Sequence, residues 1–492
     1  MARLPLLVYV PPESETILQM KLRRFILTVL LVAGFAAVAD AGDPQRIGHT
    51  TLTPRHSSPD DKGMYSAAID PVNGYAYFIG DYLFKLDLTG DLPVQVGPSL
   101  YSGQAIYSAI DVAAGQLYLC KATLDRYAVN GTNALTTNGS LTLATGNASE
   151  ILIDDSDANP ANHYGYVLCT KSGSPATVVK VALGPFTNVS SVTLAASESN
   201  FLFAAAADVR KGYGYYVSAP SGGAASVPIV VKIKFTPGYN APVRIGAVSF
   251  GTLGDFVDGG AIDTVHGYAY YGTYGNTNLP ARIYKIKLEA GDVPPTLVGA
   301  VELPANEGRL SASVCDPTNG FVYFADDNTY PGHLYQFALN GTNPPLEIAR
   351  YAMQSTTNAH PPDGTTTNNT TTNLDGGLPF GEVFFRSAVF DPLHGCAYLG
   401  QDSRPNQVVK VQLAKIDPFT LASTQTQDGS FQLSFTNITG GSFNVLSATN
   451  ISLPLSNWSA LGSVTDSPPG QFQFTDPSAT SSGQRFYRVG SQ

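Results

Sequence analysis

Apolar and polar positions alternate along much of this chain in short runs such as "LFKLDL", "LDRYAV", "VVKVAL", "VVKIKF", "IYKIKL", "LYQFAL" and "VVKVQL". Period-two alternation of this kind predicts β-strands. Each run follows an aromatic run, and each aromatic run is introduced by one phrase: "DPVNGYAYF" at 70, "DVAAGQLYL" at 111, "DVRKGYGYYV" at 208, "DTVHGYAYYG" at 263, "DPTNGFVYFA" at 316 and "DPLHGCAYLG" at 391. A degraded copy with an insertion, "DDSDANPANHYGYVL", starts at 154. A small-residue run such as "YSAAI", "DGGAI" or "FRSAVF" precedes each phrase, and in most copies a fourth run such as "RIGAVSF" closes the unit.

Four strands per unit, recurring every roughly 40 to 75 residues, predict an all-β seven-bladed β-propeller over residues 42–416. The last repeat ends after its third strand, "VVKVQL", while an orphan phrase, "RIGHTTL" (46–52), precedes the first and matches "RIGAVSF". The N-terminal strand is therefore expected to complete the seventh blade, leaving no open edge.

The repeat assigns its own acids and glycines. Asp at the head of a tight hairpin accepts a backbone N–H, and Gly supplies the positive φ the turn requires. Asp70, Asp111, Asp208, Asp263, Asp316 and Asp391, with Gly74, Gly115, Gly212, Gly267, Gly320 and Gly395, are accordingly read as turn formers. An active site needs different groups converging on one point, and a corner repeated around a ring does not supply them.

Composition agrees with many short strands. Charged residues are 13%, against 48 Gly, 34 Pro and 26 Tyr, and 43% apolar residues can furnish a sizeable core. The net charge of -10 and the lack of a Lys/Arg cluster interleaved with aromatics argue against nucleic acid as a partner.

Near the N-terminus, Lys21, Arg23 and Arg24 precede the apolar run 25–38 and the small residues Ala39-Asp40-Ala41. That order predicts a signal peptide within a 1–41 leader, with translation starting at Met20 because 1–19 make a poor n-region. The run is short for a bilayer span, so no integral membrane segment is expected after cleavage. The expected location is secreted, periplasmic or outer-surface.

After residue 416 the grammar changes to "FQLSFTNI", "SFNVLSATN", "WSALGSV", "GQFQFTD" and "RFYRVGS", strands that suit a small β-sandwich over 417–492. This stretch resembles, over about 60 residues, a module ending many large secreted proteins of environmental bacteria. The resemblance implies export and surface display or sorting, and the Asn-x-Ser/Thr sequons are therefore not read as glycan sites. Trp458, the only tryptophan, is expected to anchor the module's core. Residues 354–377, rich in Thr and Asn, read as a flexible loop within the last repeat.

The candidate chemistry is sparse. Asp155, Asp157 and Asn159 alternate like the first ligands of a calcium loop, but Pro160 and Tyr166 stand where that loop needs Gly and Glu. No cofactor is predicted, and calcium is the one ion for which a string exists. His163, His266 and His394 fall in the hairpins and read as turn residues. Cys120 and Cys169, or Cys315 and Cys396, would suit a disulfide in an oxidising compartment, yet four scattered cysteines fit buried small apolar groups better. The loops between second and third strands of the last three repeats place Tyr274, Asn276, Asn278, Arg282, Asp326, Asp327, Asn328, Tyr330, His333, Asp402 and Arg404 on one face, the residue types of a polar ligand surface.

From "RIGHTTL" to "VVKVQL", the Asp-x-x-x-Gly turn, aromatic strand and Lys-bearing strand resemble the secreted bacterial propellers of the YVTN and NHL-like repeat superfamily. That resemblance implies the fold and leaves function open, because such propellers include binding scaffolds, lactonases and lyases. The first expectation is an exported, non-catalytic, monomeric scaffold or recognition protein that binds a protein or polysaccharide through one loop face. The alternative is a metal-dependent hydrolase, lactonase or lyase with acids and histidines converging at the channel mouth. A third is a passive part of a cell envelope.

Overall fold

The computed structural model describes residues 8–10, 44–54, 63–353, 384–413 and 421–491, apart from short segments inside the last three ranges. The signal-like run, Met20 and the 354–377 loop lie outside the described residues. Two compact units emerge, one of Pro44–Pro317 with Phe321–Leu413, the other of Met1–Asp43, Thr318–Gly320 and Ala414–Gln492.

Among the described residues the larger unit is all-β apart from three short 3-10 turns at Pro160–Asn162, Ala196–Glu198 and Val209–Lys211. Its strands form consecutive antiparallel sheets, in chain order from an inner strand outward except for the outermost strand of the last. The inner strands are Ser66–Asp70, Tyr107–Asp111, Asn147–Asp154, Leu202–Asp208, Val257–Asp263, Leu310–Asp316 and Phe385–Asp391. Each packs against the next, and the last packs against the first, so the ring closes as in a β-propeller. The sheets are called first to last below in this order. In the last sheet, Gln45–Thr51 pairs antiparallel with Gln407–Gln412, with His49 opposite Val409, so a strand from the start of the chain covers an edge at its end.

The hairpins explain why these residues turn. Asp70 Oδ1 accepts the Asn73 N–H at 3.0 Å and Asp111 Oδ1 the Ala114 N–H at 2.9 Å. Asp263 Oδ1 accepts from both Val265 and His266 at 3.0 Å. The usual donor is thus three residues on, because the glycine one position further closes the turn with φ between 62° and 80° at all six repeats. His266 and His394 bond the Asp at the head of their own hairpin, Asp263 at 2.7 Å and Asp391 at 2.6 Å.

Second strands are buried on both faces, as in Tyr75–Ile79 and Phe321–Asp326, because each sheet is covered by a neighbour on either side. Tyr77, Tyr118, Tyr166, Tyr215, Tyr270, Tyr323 and Tyr398 are almost wholly buried. Each such side chain contributes roughly 1.5–3 kcal/mol.

Alternation in the third strands does not place lysines in solvent. Lys85, Lys180, Lys232 and Lys285 are buried, each with its ammonium over the ring of Tyr75, Tyr164, Tyr213 or Tyr268 at 4.0–4.3 Å. Each Nζ donates to carbonyls of the next sheet: Lys180 to Gly238, Lys285 to Leu339 and Gly341, Lys232 to Leu288, Glu289, Gly291 and Val293. These cations fasten sheet to sheet.

The smaller unit holds one sheet of Ala422–Gln425, Phe431–Thr436 and Gln471–Asp476, and another of Val8–Val10, Arg485–Ser491, Phe443–Ala448 and Ser459–Val464. Val8–Val10 pairs antiparallel with Arg485–Tyr487, a strand the sequence did not suggest. Its core is aromatic: Phe435 stacks on Phe472 at 4.9 Å, Phe443 meets both edge-on, and Phe431 stacks on Tyr487. Trp458 is only partly buried and lies outside this cluster, which corrects the expectation that it anchors the core. The phenylalanines fill the core instead.

Cys120, Cys169 and Cys396 are buried, Cys315 partly so, and all four are free thiols.

Candidate binding site at the channel mouth

A channel cavity of about 200 Å³ is walled by the inner strand of every sheet in the ring, with Tyr65, Ser108, Glu150, Ala204, Asp258, Ser311 and Arg386 among its lining. Most of that wall is small: Ala67, Ala205, Gly259, Gly260, Ala312 and Ala388 let the strands approach closely. Local irregularities supply the larger polar groups. Pairing passes from Val257 to Gly259 and from Phe385 to Ser387, leaving Asp258 and Arg386 without cross-strand partners. A bulge of this kind re-aims a side chain away from the sheet's normal alternation.

At one end, groups from the loops meet this wall. Eleven residues after Asp70, Asp263, Asp316 and Asp391 stand Asp81, Tyr274, Asp327 and Asp402, so one repeat position supplies four polar side chains. Arg309 Nε pairs with Asp258 Oδ2 and lies 3.1 Å from Asp327 Oδ2. Arg386 Nε lies 2.8 Å from Asp327 Oδ2 and 3.0 Å from Asp402 Oδ2. The guanidinium of Arg309 sits 5.1 Å from the Tyr274 ring centroid, and that of Arg386 5.3 Å from Tyr65. Asp402 Oδ1 accepts the Gly63 N–H at 3.0 Å and is also bonded by the Tyr65 hydroxyl.

Three carboxylates thus interleave with two guanidiniums. Burial pushes the Asp327 carboxyl up to about 7, outweighing the pull of Arg309 and Arg386, and burial raises Asp402 as well. Asp327 Oδ1 is buried and has no hydrogen-bond partner among the described residues. A carboxyl with one oxygen held by two cations and the other unsatisfied is an unusual polar group for a buried position.

The other residues singled out in the sequence fall elsewhere. Asp326 is fully buried at the end of its strand, accepting the His333 N–H at 3.2 Å and the Tyr335 hydroxyl at 3.2 Å, so it braces a loop from below. His333 Nδ1 stands 3.7 Å from Asp326 Oδ2. Arg282 pairs with Asp255 at 3.2 Å and Glu302 at 2.8 Å on a third strand, apart from the Asp327 group. Asn276, Asn278, Asn328, Tyr330 and Arg404 lie outside the described residues.

The calcium-like string folds on itself. Asp157 Oδ1 accepts the Asn159 N–H at 2.8 Å and its Oδ2 the Asn162 amide at 3.1 Å, while Asn159 caps the Pro160–Asn162 turn by accepting the Ala161 N–H. Among the described residues no group of three His, Cys, Asp or Glu side chains is arranged to hold a metal.

Sequence reasoning missed Tyr65, Glu150, Asp258, Arg309 and Arg386. A signal existed for several: five residues before the hairpin Asp, the repeats carry Tyr65, Asp258, Ser311 and Arg386, polar or charged residues inside otherwise small-residue strands.

No protein-family model matches the chain, and no curated protein matches it. Among solved structures, a protein from Lactobacillus plantarum is similar with a TM-score of 0.46 at 13% identity, covering 62% of this chain and 96% of that one. The Myceliophteria thermophila Cps50 (Swd1) β-propeller domain is similar with a TM-score of 0.49 at 7% identity, covering 74% of this chain and 99% of that one. The propeller assignment rests on the strand pairing and the closed ring of inner strands.

Proposed function

We propose that this chain is a seven-bladed propeller, closed by its N-terminal strand, that acts as a recognition scaffold through the face carrying Tyr274, Asp327 and Asp402. The reading rests on one observation: loop residues and bulged inner-strand residues converge there on Arg309 and Arg386, around a buried carboxylate oxygen with no partner. Interleaved Asp, Arg and Tyr suit a protein or polysaccharide ligand, whose hydroxyls and amides present donors and acceptors together. We read the smaller unit as a β-sandwich, and the protein as an exported monomer whose leader, translated from Met20, is removed through residue 41. A mature chain starting at residue 42 lacks Val8–Val10 and leaves Arg485–Ser491 at the edge of its sheet. N-terminal sequencing of protein recovered from outside the cytoplasm tests this, and a start at Met20 or earlier there would refute it.

The experiment for the binding face is a glycan and surface-protein array probed with the full chain and with Asp402→Asn and Tyr274→Ala. Retention of one ligand class by the wild type, lost in both variants, is the expected result. Uniform silence favours the envelope-structure reading.

One observation favours a second reading. A carboxyl poised near neutrality at a channel mouth is what general acid–base catalysis uses. Turnover of a lactone or glycoside by the wild type, abolished in Asp327→Asn, would establish the enzyme alternative.

A further inference from the structure

Below the mouth, Tyr107, Glu150, Asp258 and Arg386 reach the cavity from the inner strands of the second, third, fifth and last sheets. They share one space, since the Tyr107 hydroxyl feels the charges of Glu150, Asp258 and Arg386 together. Two of these charges are already matched. Asp258 is held by Arg309, and Arg386 by Asp327 and Asp402.

Glu150 is different. It lines the cavity at 6% exposure, makes no hydrogen bond among the described residues and has no cation against it. The Tyr107 hydroxyl likewise bonds no described protein group. A buried carboxylate without a partner either takes a proton or receives a cation. Burial alone drives the Glu150 carboxyl well above its usual range, the mark of a charge the protein leaves uncompensated.

We infer that the channel is a binding site for a primary ammonium group, seated on Glu150 with Tyr107 beside it. Its three N–H donors match the two carboxylate oxygens and the phenol oxygen. The cavity of about 200 Å³ holds some six waters' worth of volume by the usual share of about 30 Å³ each, enough for an ammonium on a short alkyl chain. Ile151, Ala204 and Ala205 offer that chain apolar wall. A free alkylamine and a lysine side chain entering from the mouth both present this group, and the two arms below separate these sources. The inference stands apart from the loop-face reading, because it needs no ligand on that face.

The test is calorimetric titration of the full chain at pH 7.5 with pentylammonium, with pentan-1-ol as the neutral match, and with a short Gly-Lys-Gly peptide blocked at both ends. Saturable one-site binding of the amine is expected, at least tenfold weaker for Glu150→Gln and for pentan-1-ol, and weakened for Tyr107→Phe. Binding of the peptide as well assigns a side-chain source, and binding of the amine alone a free one. Absence of saturable binding by folded wild type, undiminished binding by Glu150→Gln, or equal binding of the alcohol overturns the site.

Discussion

Arg386 Nε and Arg309 Nε converge on the same oxygen, Asp327 Oδ2, at 2.8 Å and 3.1 Å, while Asp327 Oδ1 is buried without a partner. One carboxylate therefore separates two guanidiniums from neighbouring sheets, at the point where the fifth, sixth and last inner strands meet the loops. The arrangement couples ring stability to the protonation of one group.

Asp327 is the first place to look for that coupling. Its folded carboxyl titrates near 7 against about 4 in the unfolded chain, so between those values the folded state holds a proton the unfolded state has lost. The sign follows: stability relative to Asp327→Asn should fall as pH rises from 4 to 7, by roughly 2–4 kcal/mol, and level off above. Denaturant titrations of both proteins at pH 4.5, 6 and 8 measure it. A constant difference would show that Asp327 is ionised throughout. Asp327→Ala, which sets two arginines face to face, should cost about 3 kcal/mol or more at every pH.

His163 offers a second titration with the opposite partner type. Its Nδ1 lies 2.7 Å from Asp111 Oδ2 in the preceding sheet and its Nε2 2.7 Å from the Asp157 carbonyl. Both neighbours are acceptors, so both ring nitrogens must carry protons. Burial pulls the ring down, but the bonds to Asp111 and Asp157, with Asp155 nearby, leave it raised above its ordinary value. The stabilisation is full below the unfolded value near 6.5 and is lost as pH rises through the higher folded value. His163→Gln should therefore cost on the order of 2 kcal/mol at pH 5.5 and less at pH 9, and NMR of the imidazole should place its titration above 6.5.

Much of this fold was readable from one repeated phrase, because hairpin chemistry is local: Asp70 and Gly74 do their work within five residues, and the same bonds recur at Asp111, Asp263 and Asp391. The site was half readable. Asp327 and Asp402 stood out as loop acids, yet their shared partner Arg386 sits in a small-residue strand, where a single run gives no sign that a bulge turns a side chain toward the axis, and Arg309 stands just ahead of another. Only the register of all repeats together reveals that position. Asp326 misled for the converse reason: it adjoins Asp327 in sequence, but the strand continues through it and buries it completely. The burial of the lysines was not readable from periodicity, since alternation reports which face a residue is on and not what covers that face.

The lysine fastenings carry the last prediction. Lys232 Nζ donates to four carbonyls of the following sheet, and the ring of Tyr213 lies 4.2 Å beneath it. In the sixth sheet Gln336 occupies the same repeat position, and it bonds only within its own sheet, donating to the Tyr323 hydroxyl at 3.5 Å and accepting from Tyr351 at 2.9 Å. Chemically similar truncations should then differ sharply. Lys232→Met keeps the stem's packing but strips donors from Leu288, Glu289, Gly291 and Val293. The Leu288 carbonyl keeps the Tyr215 hydroxyl at 3.1 Å, so the expected cost is about 2–3 kcal/mol, below the sum of four lost bonds. Gln336→Met removes one donated and one accepted bond with tyrosine hydroxyls and should cost about 1 kcal/mol. Denaturant midpoints with unchanged slope would measure both, and hydrogen exchange should show Lys232→Met loosening the amides of the connection from Leu288 to Val293 first. Equal costs for the two substitutions would mean that the lysines merely fill space, and the ring would owe its closure to tyrosine packing and the Gln45–Thr51 strand alone.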